Sequence, residues 1–131
     1  MKISELASAS NVPAKTIRYY EEVGLIAPAQ RNHSGYRQYN QSDVSTLVFI
    51  RRCRELNIAI GDIKQLLDIQ QNPHAPCELV DQVIEKQLER IRKTQRELAL
   101  LEESLSSLAL SCSAHQKIEN CSILHQLKSN I

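Results

Sequence analysis

The sequence predicts a mainly α-helical fold: a winged helix-turn-helix unit in front, one long helix behind it, and a short C-terminal tailpiece. Three observations predict this. All five aromatic residues (Tyr19, Tyr20, Tyr36, Tyr39, Phe49), all three glycines and all four prolines precede Cys77. Residues 1–57 carry eight basic and five acidic side chains, whereas residues 58–131 carry eight and ten, so a basic, turn-containing front adjoins a mildly acidic back. From Cys77 onward, apolar residues recur every seven positions, the signature of a helix that needs a partner.

The length of 131 residues allows one ordinary domain, or a small domain plus an extension, and leaves no room for a catalytic domain of usual size. An enzyme is therefore not expected. A 42% hydrophobic share with balanced charge (net +1) supports an ordered chain without polybasic or acidic tails. Apolar runs such as Leu47-Val48-Phe49-Ile50 are too short to span a bilayer, and the start turns polar at once, so a cytoplasmic protein with no membrane partner is expected.

Ile3, Leu6 and Ala7 at helical spacing predict a first short helix. Asn11-Val12-Pro13 interrupts it, and Pro13 suits the first turn of a second helix that runs to Glu22 before Gly24. This second helix turns Ile17 inward and displays Lys15, Arg18 and Tyr19. Residues 27–40 place Pro28 at one end, Asn32-His33-Ser34-Gly35 in the middle and Tyr36-Arg37-Gln38-Tyr39 after it, which predicts a β-hairpin turning near Ser34-Gly35. Arg31 and Arg37 interleaved with Tyr36 and Tyr39 make that hairpin a wing suited to phosphates and sugars. A third helix is expected from a Ser42 cap to about Glu55, with Val44, Leu47, Val48 and Ile50 inward and Arg51, Arg52 and Arg54 outward. A fourth is expected over residues 60–70, stopped by Asn72-Pro73-His74-Ala75-Pro76, a stiff hinge.

Behind the hinge, Cys77, Ile84, Ile91, Leu98, Leu105 and Cys112 fill one heptad position, and Val80, Gln87, Thr94, Leu101 and Leu108 the other. So narrow a seam implies a second chain, pairing parallel or antiparallel. Ser111 to Asn120 reads as a loop, followed by a short helix from Cys121. The expected organisation is a DNA-binding unit over 1–71, a hinge over 72–76, a dimerisation helix over 77–110 and a loop with a short helix over 111–131.

Four cysteines without an export signal are expected to be reduced thiols, and their spacing excludes a CxxC redox pair. Cys53 reads as a small buried apolar residue, and His33, His74 and His125 as turn, hinge and solvent-facing residues. Cys112 and Cys121 flank a polar loop containing His115; they are either incidental or a metal clip, with Cys121 at a helix N-terminus that favours thiolate. Cys77 lies 35 residues before Cys112, roughly 50 Å along a straight helix, so the two cannot share an ion within one chain. In an antiparallel dimer, Cys77 of one subunit would meet Cys112 and Cys121 of its partner, giving two symmetric soft-metal sites.

These residues, in this order, resemble the MerR family of metal-responsive transcription regulators over essentially the whole chain. Thr16-Ile17-Arg18-Tyr19-Tyr20-Glu21, Gly24-Leu25 and Tyr36-Arg37-Gln38-Tyr39 are similar to its recognition helix and wing, and residues 49–56 to the third helix of its cadmium/lead/zinc branch. The resemblance implies DNA contacts from Lys15, Thr16, Arg18, Tyr19, Tyr20, Arg31, Tyr36, Arg37, Tyr39 and Arg54. It also implies metal ligands at Cys77 (from the partner subunit), Cys112 and Cys121, with His115 a further candidate. Copper(I) sensors of the family have Ser at the Cys77 position, and zinc sensors tend to carry a second cysteine where this chain has Ser113. Iron–sulfur members need four closely spaced cysteines, and drug sensors a large C-terminal domain. The nearest resemblance is therefore to Cd(II)/Pb(II) regulators, with Zn(II) and Hg(II) as alternatives. The implied mechanism is activation by distortion of double-stranded promoter DNA, bringing badly spaced elements into register for RNA polymerase on metal binding by a homodimer. Two competing classes are an architectural or excision DNA-binding protein, which needs neither Cys77 nor the thiol loop, and a metal buffer, which needs no wing.

Overall fold

In the computed structural model, residues 1–112 and 116–129 are described. Helix α1 (Ile3–Ser10) ends at Asn11, whose left-handed backbone (φ 58°) returns its amide to the Ala7 carbonyl. Asparagine tolerates that conformation better than most residues, so this position closes the helix without a glycine. Helix α2 (Ala14–Glu22) starts one residue later than the sequence suggests: Pro13 is the cap, its carbonyl accepting the Ile17 amide at 3.0 Å.

The wing is a two-stranded antiparallel hairpin, β1 (Gln30–Arg31) and β2 (Arg37–Gln38), pairing Gln30 with Gln38 and Arg31 with Arg37. Its turn is held by Asn32, whose side-chain oxygen accepts the Ser34 and Tyr36 amides at 3.0 Å each, while Gly35 supplies a φ of 82°. The Tyr39 amide then donates to the Met1 carbonyl (2.9 Å) and the Met1 ammonium to the Tyr39 carbonyl (2.6 Å), tying the wing to the start of the chain.

Helix α3 (Gln41–Glu55) is capped by Asn40 and not by Ser42. Asn40 Oδ1 accepts the Asp43 amide at 3.2 Å, Asp43 Oδ2 accepts the Asn40 amide at 2.9 Å, and the Ser42 hydroxyl donates to the same Asn40 oxygen. An Asn three residues before an Asp satisfies two orphan amides reciprocally, which outcompetes a lone serine. Helix α4 (Ile60–Ile69) follows a second left-handed asparagine, Asn57.

Leu6, Ile17, Leu47, Ile50 and Ile63 are essentially inaccessible to solvent and form the centre of the core, with Tyr20, Leu25, Tyr39, Val44, Cys53, Ile58, Leu66 and Val83 around them. The buried Ser10 hydroxyl donates to Leu6 O (2.7 Å), and its carbonyl accepts from Arg51 Nε at 3.2 Å. Arg51, expected to face outward, is thus half-buried and braces α3 against the end of α1.

Helix α5 (Glu78–Leu110) begins just after Cys77, whose carbonyl accepts the Asp81 amide. The front compact unit runs from Met1 to Gln87 and so takes in the first turns of α5. Val83 is buried there, Lys86 lies 3.8 Å from Asp62, and Gln87 Nε2 donates to the Leu56 carbonyl at 2.9 Å. Gln87, expected on the seam, therefore serves the front unit. The second unit, Leu88–Ile131, contains the rest of α5, a single 3₁₀ turn (Ile118–Asn120) and α6 (Ser122–Lys128). His125 is exposed, as the sequence suggested, and its ring nitrogen Nε2 donates to the Glu119 carbonyl at 2.7 Å, joining the turn to α6.

Candidate nucleic-acid interface and thiol sites

Helix α2 buries Ile17 and Tyr20 and leaves Lys15, Arg18 and Tyr19 exposed, with Thr16 half-buried. Tyr20, expected at the DNA, belongs to the core: it is 7% exposed, its ring 6.1 Å from that of Tyr19. The face that remains carries two cations and a phenol. It matches what a recognition helix needs.

Glu21, at the C-terminal end of the same helix, fastens the wing to it. Its carboxylate is nearly buried, accepts the Tyr39 hydroxyl at 2.6 Å and lies 3.3 Å from Arg37 Nη1. Burial, reinforced by the hydrogen bond and negative charge of Glu21 and opposed by Arg37, pushes the Tyr39 hydroxyl up to about 12. Tyr39 therefore stays a neutral donor to Glu21 and is a buried, wing-fastening residue, where the sequence suggested an exposed one. Arg37 is also partly withdrawn, since its buried Nη1 faces the Glu21 charge. Sequence reasoning missed Glu21 because its partners lie 16 and 18 positions away.

What the fastened wing presents is Arg31 and Tyr36. Tyr36 is 70% exposed, and Arg31 Nη1 donates only to the neighbouring Gly35 carbonyl at 2.9 Å. Arg54 Nη1 donates to the Ile58 carbonyl at 2.7 Å, which commits part of that guanidinium to bracing the α3–α4 link.

The thiols divide into two kinds. Cys53 is buried, and burial raises its pKa, so it is a poor source of thiolate. Cys77 and Cys112 are exposed and Cys121 is half-buried; all are free. They lie at the two ends of α5 and at the cap of α6. No group of three His, Cys, Asp or Glu side chains able to hold a metal occurs among the described residues of one chain. His115 lies outside the described residues. No helix among them is long and apolar enough to cross a membrane.

A helix that exposes Lys15 and Arg18, with a wing fastened to it through Glu21, defines a winged helix-turn-helix DNA-binding protein. Residues 1–69 match the model of the MerR HTH family regulatory proteins, and residues 44–108 that of the MerR DNA-binding region. The chain belongs to the MerR family of transcriptional regulators, and it is not an enzyme. It is 34% identical over 130 residues to the HTH-type transcriptional regulator CueR of Vibrio cholerae, covering 99% of this chain and 93% of that one. Among solved structures it is similar to the regulator PbrR691 of Ralstonia metallidurans CH34 in complex with lead(II), with a TM-score of 0.89, 31% identity, and 97% and 98% of the two chains covered. It is also similar to the dual-function regulator MerR of Bacillus megaterium MB1 in complex with mercury(II), with a TM-score of 0.73, 30% identity, and 98% and 100% covered.

Proposed function

We propose that this chain is a metal-sensing transcriptional regulator that binds double-stranded promoter DNA as a homodimer, its α5 helices pairing antiparallel. Cys77 of one subunit, with Cys112 and Cys121 of the other, forms each sensory site. The observation that carries this reading is the placement of exposed thiols one residue before and two residues after a helix whose apolar stripe is unburied: Ile84, Ile91, Leu98, Leu101 and Leu105 are 40–65% exposed. Head-to-tail pairing covers that stripe and brings opposite ends together.

Three thiolates make a soft, anionic donor set that favours Cd(II), Pb(II) or Hg(II) over Mg(II), Ca(II) and Mn(II). The similarity to a lead(II)-bound regulator supports Cd(II)/Pb(II) as the effector class. The mercury(II) complex of the Bacillus regulator supports Hg(II) as the second reading. Zn(II) is a further alternative, favoured by His115 as a candidate imidazole ligand. The deformation of promoter DNA that activation by RNA polymerase needs is supplied by differential affinity of the effector for two protein–DNA states.

The experiment is complementation. Cys77→Ser and Cys112→Ser homodimers should each fail to bind Cd(II) tightly, whereas the isolated heterodimer should recover about one tight site per dimer, because trans pairing leaves one complete set. Titrations of the reduced protein with Cd(II), Pb(II), Hg(II) and Zn(II), followed by thiolate charge-transfer absorption, rank the metals. Cys53→Ser should bind as the parent does. A heterodimer with no tight site rejects the trans arrangement, and a parent protein that binds DNA but no metal identifies an architectural protein without an effector.

A further inference from the structure

One cleft of the front unit gathers more positive charge than the domain uses internally. It encloses about 240 Å³ between the start of α1, α2 and the wing, and Lys2, Arg18, Arg31, Tyr36 and Arg37 line it, with Ile3 as an apolar wall. Glu21 pairs with Arg37, and Arg31 is engaged only by a backbone carbonyl. The Lys2 ammonium and the Arg18 guanidinium have no acidic or hydrogen-bonding partner among the described residues. The Lys2 backbone alone is engaged, its amide donating to Glu5 Oε1 and its carbonyl accepting the Leu6 amide. Lys2 reaches this position because the Met1–Tyr39 backbone pair lays the chain start along the base of the wing.

We propose that Lys2 is a DNA-contacting residue that, with Arg18 and Arg31, closes on a single backbone phosphate of the duplex. Like charges crowded into one cleft repel one another, and all three side chains carry donors and no acceptor. An anion with several acceptor oxygens relieves both conditions. The occupant is a phosphate of duplex DNA, because Arg18 projects from the recognition helix itself and the exposed Tyr36 stands at the same cleft. Helix α1 thereby joins the recognition helix and the wing as a third element gripping the backbone. This inference rests on the DNA-binding reading of that face, and the assignment of Lys2 goes beyond it.

The test uses the full-length protein and a duplex selected by it from a random pool. Lys2→Ala should lower the slope of log affinity against log salt by about one and weaken selected and random duplexes by the same factor, with Lys2→Arg restoring both. In a walk of neutral methylphosphonates along the selected site, one position should weaken Lys2→Ala by a smaller factor than it weakens the parent, Arg18 and Arg31 still holding that phosphate in the variant. An unchanged slope, a loss confined to the selected sequence, or unaltered phosphonate sensitivity overturns the assignment of Lys2 while leaving the DNA-binding reading intact. A parent protein that selects no duplex overturns both.

Discussion

The two units of the chain solve the burial problem in opposite ways. From Met1 to Gln87 the apolar residues find partners within the chain: fourteen are buried, from Leu6 to Val83. From Leu88 onward no described residue is buried, although the sequence there is just as regularly apolar, with Leu98, Leu101 and Leu105 each more than half exposed. Among the described residues, nothing of the same chain covers the narrow stripe of this 33-residue helix. The difference teaches that the same hydrophobic driving force builds a domain where the chain turns back on itself, and an interface where it cannot.

The largest expected effect separates the two units. Ile50→Ala, at a fully buried site on α3, should destabilise the front unit by about 2–5 kcal/mol in thermal or chemical unfolding. Leu98→Lys combined with Leu105→Lys should change intrinsic stability little, since exposed substitutions generally fall within about 0.5 kcal/mol, yet convert the dimer to monomer in sedimentation velocity. If the seam pair unfolded the front unit as badly as Ile50→Ala, the contrast between the two units would fail.

An intermediate effect concerns the fastening of the wing. Tyr39→Phe removes the donor from a nearly buried Glu21 oxygen and should cost about 1–3 kcal/mol. Because the folded state holds the Tyr39 proton more tightly than the unfolded chain does, this stabilisation is present in full below pH 10. It is lost as pH rises from the ordinary value near 10 to about 12. Tyr39→Phe should flatten the stability profile over that window, and an identical alkaline profile in the two proteins would sever Tyr39 from Glu21.

The smallest effects separate arginines that look alike in sequence. Arg18→Ala should weaken DNA binding by on the order of 1–3 kcal/mol, and Arg31→Ala should lower the salt slope by about one. Arg37→Ala should lower it less, because Glu21 already compensates its charge, and should instead loosen the wing. Equal salt slopes for the Arg31 and Arg37 variants would show that the Glu21 pairing does not survive contact with DNA.

Much of this protein was legible in its residues. Asn11, Gly35 and the prolines at 73 and 76 are local devices, acting through their own φ, ring or missing amide, so they mark the breaks between elements before any tertiary contact is known. The heptad stripe and the thiols at either end of α5 are likewise properties of spacing, and the reading of Cys53 as a buried thiol follows from the apolar positions beside it on α3. Which charged and aromatic side chains stay exposed on the recognition helix and wing was decided only by the fold. Tyr20 and Tyr39 went to the core, Arg51 to the Ser10 carbonyl 41 positions away, and Gln87 to Leu56, 31 positions away. Lys2, which no periodicity singled out, was brought to the wing by a backbone pair between Met1 and Tyr39. The physical reason is that helix periodicity assigns a residue to a face, whereas the partner that face meets depends on where distant segments pack, and amphipathic side chains such as Tyr and Arg are stable on either side of that boundary.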